Sequence, residues 1–247
     1  MCTLAILRRP AHDAWPLLLA ANRDELRSRP ARPPARHWPD RPHVTAGLDE
    51  LAGGTWLGLN DDGLVAAVLN RRGTLGPAPG KRSRGELVLD ALDHAEAYIA
   101  AEALSALDPD AWRPFNLVLA DAVDAFWVRH AGDGAIRVVP IPEGVSLLEA
   151  GELNDPASPR TRRYLPLLRE APVPDPDAGD WSPWVEILAD RGTGGGDPRD
   201  AMCVVTGGEY GTVGASLLAL PRYASQRPVW LHADGRPGEA EFVRVEG

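Results

Sequence analysis

Cysteine occurs only twice in this 247-residue chain, at Cys2 and Cys203. Two are too few for a disulfide framework and offer no paired metal-ligand spacing. The six histidines (His12, His37, His43, His94, His130, His232) form no HxxxH or HxH pair, so no structural metal is expected. No apolar run approaches the ~20 residues that span a bilayer, and the first residues lack the basic and apolar stretches of a secretion signal. The expectation is a soluble, cytoplasmic protein. Without a Pro/Ser-rich linker or an internal repeat, one domain over residues 1–247 is expected. A net charge of −9 leaves no general footprint for nucleic acid. Lys81 is the only lysine, and the arginine, alanine, glycine and proline bias is that of a GC-rich bacterial coding sequence. The glycines of 192–196 lack the spacing and lysine of a phosphate cradle.

What is present alternates short apolar runs with turn chemistry. Thr3 to Arg8 and Leu17 to Ala21 read as two strands joined by the turn-prone segment 9–16. With the apex near His12, Cys2 is expected opposite Asn22. Because side chains alternate with period two, Asn22 and Asp24 are then expected on the face of Cys2, with Arg23 and Glu25 on the other. Gly53 to Leu59 and Leu64 to Asn70 read as strands around an Asp-Gly turn, which places Asn70 at a strand mouth. Residues 83–107 are helical in composition, with Ser83 and Glu86 spaced as a capping box and a break near Asp93-His94. Strands are expected at 115–120, 125–130, 136–140 and 145–149 as a meander. Ser158-Pro159 and Ser182-Pro183 open two helices, and strands around 201–206, 213–220, 229–232 and 241–245 end the chain. Hairpins with helices grouped between them predict an α+β protein, with two mainly antiparallel sheets face to face and helices outside.

Arg27, Arg29, Arg32, Arg36 and Arg41 crowd a proline-rich segment that also holds His37, Trp38 and His43. It reads either as a solvated polyproline-like excursion or as a positive lip that attracts an anionic small molecule.

Cys2 is the residue with the most chemistry to offer. Alone, it is a small apolar residue capping an edge strand. If Met1 is removed, it carries both a thiol and a free α-amine, titrating near ~8.5 and ~7.7–8.0, so nucleophile and base coincide in one residue.

Met1-Cys2, Ala20-Ala21-Asn22-Arg23-Asp24-Glu25, Ser28-Arg29-Pro30, Ala46-Gly47-Leu48-Asp49, Gly53-Gly54-Thr55-Trp56-Leu57-Gly58, Leu69-Asn70, Arg84-Gly85-Glu86-Leu87-Val88 and Tyr210-Gly211-Thr212 follow one another in this order. Together they resemble the NRDE family, whose eukaryotic members are the transport-and-Golgi-organisation proteins. The first ~90 residues carry most of the resemblance. That family is in turn similar to N-terminal-nucleophile hydrolases of the bile-salt hydrolase and penicillin V acylase type. The resemblance implies a four-layer αββα sandwich, with Cys2 as nucleophile, Asp24 at the amine and Arg23 nearby. It also implies Asn70 and Asn154 as active-site amides, the first in an oxyanion hole, where loss of a donor typically costs ~10²–10³ in rate. One departure stands out. Many relatives have arginine shortly after Gly-Thr, where this chain has Val213 and Gly214, leaving Arg222, Arg71 or nothing to replace it.

Two functions fit. One is a cysteine amidohydrolase acting on a small non-peptide amide or acyl thioester, with no cofactor required. The other is a carrier of a hydrophobic anion such as haem or an acyl-coenzyme A, with Cys2, His37 or His43 as iron ligands and the arginine segment meeting propionates or phosphates. A weaker third reading, an interaction protein, rests on the eight tryptophans, although Trp15, Trp56 and Trp127 lie in strand-like contexts.

Overall fold

The computed structural model describes residues 2–223 and 225–246. The chain divides into two compact units, one of residues 1–29, 142–222 and 227–245, the other of 30–141 with 223–226 and 246–247. The protein is α+β, each unit being an antiparallel sheet with a pair of helices.

The first unit holds a six-stranded sheet in the order β10-β1-β2-β11-β12-β13. Its strands are β1 (Thr3–Arg8), β2 (Leu17–Leu26), β10 (Gly144–Leu148), β11 (Tyr210–Leu220), β12 (Val229–Ala233) and β13 (Val243–Arg244). Helices α3 (Pro159–Glu170) and α4 (Ser182–Ala189) cover one face. There Ala5, Leu7, Leu18, Ala20, Leu147 and Leu217 pack with Tyr164, Leu168, Trp184 and Leu188. Ser158 caps α3 by accepting the Thr161 N–H, and Pro159 occupies the first turn, where a missing N–H costs nothing.

The second unit is a seven-stranded meander, β3 to β9 in chain order. It runs through β3 (Ala31–Ala35), β4 (Val44–Asp49), β5 (Leu57–Asn60), β6 (Val65–Asn70), β7 (Phe115–Ala120), β8 (Ala125–His130) and β9 (Ile136–Pro140). The expected helix is broken where its sequence suggests, into α1 (Arg84–Leu92) and α2 (Ala97–Ser105). Both pack on Leu64, Ala66, Leu117 and Leu119. Ser83 N–H donates to Glu86 Oε1 at 3.1 Å, as the capping spacing requires.

Several family motifs prove to be packing devices. A Cβ on Gly47 would stand 2.4 Å from the Trp56 ring, and one on Gly54 would stand 2.6 Å from the Gly85 backbone. Strand β4 and the start of α1 therefore approach the Gly-Gly-Thr-Trp turn only because side chains are missing at both places.

Three expectations need correction. Residues 31–35 form strand β3, not a polyproline-like excursion. The meander stops at β9: Pro140 and Pro142 cannot donate ladder bonds, and β10 pairs with β1 instead. Residues 201–206 form no strand among the described residues beyond a single bridge, Val205 to Gly211.

Candidate functional site

The hairpin register sets the site. Arg9 N–H donates to Pro16 O at 2.8 Å, and Arg8 pairs with Leu17, which closes a loop of residues 9–16. His12 Nδ1 accepts from the Ala14 and Trp15 N–H groups inside that loop. The pairing centre thus falls between His12 and Asp13, and Thr3, not Cys2, stands opposite Asn22. This one-residue slip reverses the expected faces. Thr3, Asn22 and Asp24 point to the α3/α4 side, while Cys2 falls in register with Arg23 on the other.

On the helix side, Asp24 is 2 % exposed yet fully engaged. Thr212, its β11 neighbour, donates from Oγ1 to Asp24 Oδ1 at 2.7 Å. Arg160, in the first turn of α3 and 1 % exposed, approaches Asp24 Oδ2 at 3.4 Å. The same guanidinium donates to Thr3 Oγ1 and to Arg199 O. Burial pushes the Asp24 carboxyl up, and Arg160 followed by Thr212 pulls it back. Asn22 Nδ2 donates to Leu188 O and Met202 O, both at 2.9 Å, tying β2 to α4 and the segment after it.

On the other side, Cys2 is half-buried, with Sγ 4.0 Å from Asp24 O. Tyr210 donates to that same carbonyl at 3.2 Å. Burial raises the thiol pKa and Asp24 adds to the rise, whereas Arg23 opposes it. Arg23 is in register with Gly214, and one strand further His232 Nδ1 lies 3.0 Å from Ser216 Oγ. Burial, with Arg23 adding to it, lowers the His232 pKa to about 4, so its imidazole is neutral at pH 7. Val213 is the extra residue of a β-bulge between Thr212 and Gly214, beside the Asp24 and Arg23 pairings. Arg222 lies past the opposite end of β11, where it donates to Pro10 O.

Asn154 belongs to the same unit but is engaged with the edge strand. Its Oδ1 accepts the Leu147 N–H at 2.8 Å, and its Nδ2 donates to Ser146 Oγ at 3.1 Å. Leu147 pairs with Ala5, three residues along β1 from Cys2. Asn70 ends β6 in the second unit, opposite Phe115 of the α1/α2 core. Arg71 of that unit donates to Asn116 Oδ1 at 2.6 Å, beside Trp127 Nε1 at 3.1 Å.

The arginines of 32–41 meet acids: Arg32 with Glu50, Arg36 with Asp61, and Arg41 with Asp93 and Asp90. The positive lip is therefore largely neutralised within the protein. His37 bonds to Pro33 O at 2.9 Å, and His43 lies 3.7 Å from Asp93. Among the described residues no group of three metal-ligating side chains occurs, and no helix is long and apolar enough to cross a membrane.

Sequence reading missed Arg160, although Ser158-Pro159 fixes its place on the first helical turn. It also missed Tyr210 and Thr212 as site residues, although they stand in the Tyr-Gly-Thr motif.

Solved structures with the same arrangement of strands define the class. The Caenorhabditis elegans N-acylethanolamine-hydrolyzing acid amidase ortholog aligns with a TM-score of 0.58 at 14% identity, over 88% of this chain and 92% of that one. A mutant of conjugated bile acid hydrolase from Clostridium perfringens aligns at 0.54 and 13%, over 99% and 92%. The chain shares its fold with both of these proteins. The model of the Transport and Golgi organisation 2 family matches residues 1–157, and the chain belongs to that family. The Transport and Golgi organization protein 2 homolog of Bos taurus is 37% identical over 119 residues, 46% of this chain and 42% of the relative. The Homo sapiens homolog is 35% identical over the same shares. The match thus spans less than half the length of these curated relatives.

Proposed function

We propose that this protein is an N-terminal cysteine amidohydrolase acting on a small non-peptide amide or acyl thioester. One observation carries the reading: the Cys2 thiol stands just before β1, 4.0 Å from the main chain of Asp24, whose buried carboxylate is held by Arg160 and Thr212. The fold shared with two amide hydrolases supports it.

In this mechanism removal of Met1, which lies outside the described residues, frees the Cys2 amine. The amine takes the thiol proton and the sulfur attacks the carbonyl carbon, forming a C–S bond while the carbonyl π pair moves to oxygen. Asn154, in the same unit as Cys2, is the amide donor this reading assigns to that oxyanion. Collapse expels the leaving amine or thiol, which receives the proton from the Cys2 ammonium. Water then cleaves the acyl thioester, returning the thiol and releasing a carboxylic acid. The thiol's raised pKa makes a nearby base necessary at neutral pH. The carrier reading draws little from the arginine segment, where Arg32, Arg36 and Arg41 are met by Glu50, Asp61, Asp90 and Asp93.

Intact-mass measurement of the purified chain tests the first step. The expected mass lacks one methionine, and a short-chain acyl p-nitroanilide should leave an acyl adduct on Cys2 that Cys2→Ala abolishes. A retained Met1 would overturn the mechanism.

A further inference from the structure

Arg160 is an arginine with almost no exposure, inside the α3/α4 side of the first sheet, and no packing need calls for a cation there. Its contacts converge on the strand ends next to Cys2: the Asp24 carboxylate at 3.4 Å, the Thr3 hydroxyl, and Arg199 O. Thr3 directly follows Cys2, so the helix grips the residue beside the thiol as well as the carboxylate. Both Asp24 oxygens accept, one from Thr212 and one from Arg160, which is the pattern of a carboxylate and not of a carboxylic acid.

We infer that Arg160 is the positioning residue of the site: it keeps Asp24 ionised and, through Thr3, fixes the strand ends that carry Asp24 and Cys2, and so links helix α3 to the state of the Cys2 thiol. This deepens the hydrolase reading but does not need it, because the coupling exists whether or not Met1 is removed. An uncompensated buried carboxylate takes up a proton rather than remain charged. Loss of Arg160 therefore acts on Cys2 as loss of the Asp24 charge does. The charged and titratable groups acting on Asp24 and Cys2 include Arg160 from α3, the chain's terminal amine, Arg23 from β2, Cys203 from the segment before β11, and Tyr210 from β11, through its bond to the Asp24 carbonyl.

The test is the pH profile of Cys2 alkylation by iodoacetamide, read by peptide mass spectrometry on the full chain. Asp24→Asn should move the midpoint down by roughly one pH unit, since it removes a charge that holds the thiol's proton. Arg160→Met should move it in the same direction by a similar amount, the double variant no further, and Arg160→Lys should restore it. Should Arg160→Met not fold, Arg160→Gln and Thr212→Val carry the measurement, each with a smaller downward shift. A wild-type midpoint in the Arg160 variants alongside a shifted Asp24→Asn, or shifts that add in the double variant, overturns the assignment. So does an unmoved Asp24→Asn. A retained Met1 together with the predicted cycle would sink the hydrolase reading alone.

Discussion

The Thr212 hydroxyl lies between the Val204 N–H, 2.8 Å away, and Asp24 Oδ1, 2.7 Å away, so it accepts from one and donates to the other. Thr212→Val keeps the shape and takes one hydrogen bond from each of two buried partners, each at a cost of about 1–3 kcal/mol. Urea unfolding should show a loss of about 3 kcal/mol, most of it recovered in Thr212→Ser. A loss within ~0.5 kcal/mol would mean the hydroxyl is not buried between them.

His232 predicts a pH dependence. Its folded pKa, about 4, lies below the unfolded value near 6.5, so the unfolded chain binds more protons between the two. Stability from this group is full above pH 6.5 and falls as pH drops toward 4. The summed loss is about 3 kcal/mol at most. Asp24, whose pKa is raised, acts in the opposite sense. The contribution is therefore read as wild type minus His232→Gln, followed by denaturant titration from pH 7 to 4. A difference that does not change with pH would contradict a buried neutral imidazole.

Gly47 and Trp56 should behave as one unit. Gly47→Ala puts a methyl into the indole ring, and overpacking of this kind costs about 1–3 kcal/mol. In Gly47→Ala combined with Trp56→Leu the Gly47 penalty should largely vanish. Thermal unfolding of the four proteins in that cycle measures the coupling, and simple additivity would refute the contact.

Asn154 is the one described non-glycine residue with a left-handed backbone, at φ 56°. Asn154→Ala meets that conformation's penalty and gives up the bonds to Leu147 and Ser146. Asn154→Gly gives up only the bonds. Alanine should therefore be the more damaging by about 1 kcal/mol in denaturant melts. If Asn154 also stabilises an oxyanion, acyl transfer should fall in both variants by far more than their stabilities differ.

Local chemistry was legible in the sequence wherever a few adjacent residues decide the outcome. Ser83 with Glu86, the break at Asp93-His94 and the Ser158-Pro159 helix start are all of that kind. The hairpin of β1 and β2 was legible as a hairpin, but its register was not. A loop of residues 9–16 held by His12 and Arg9 moves the centre of pairing by half a residue, which is enough to exchange the faces of Asp24 and Arg23. Residues distant in the chain left the weakest trace. The Arg160–Asp24 pair joins positions separated by 136 residues, and no local pattern distinguishes Arg160 from Arg162 or Arg163 beside it.

The first sheet is built from both ends of the chain. Strand β2 lies against β11, joining positions 188 residues apart, while the meander between them is contiguous and rich in neighbour-to-neighbour pairing. Closure of long loops is slow, so the meander should gain protection from hydrogen exchange first and the thiol-bearing strand end last. A chain released before its final third is synthesised would thus have a formed meander and no assembled site. Chemistry at Cys2 would begin only once strand β11 has been made.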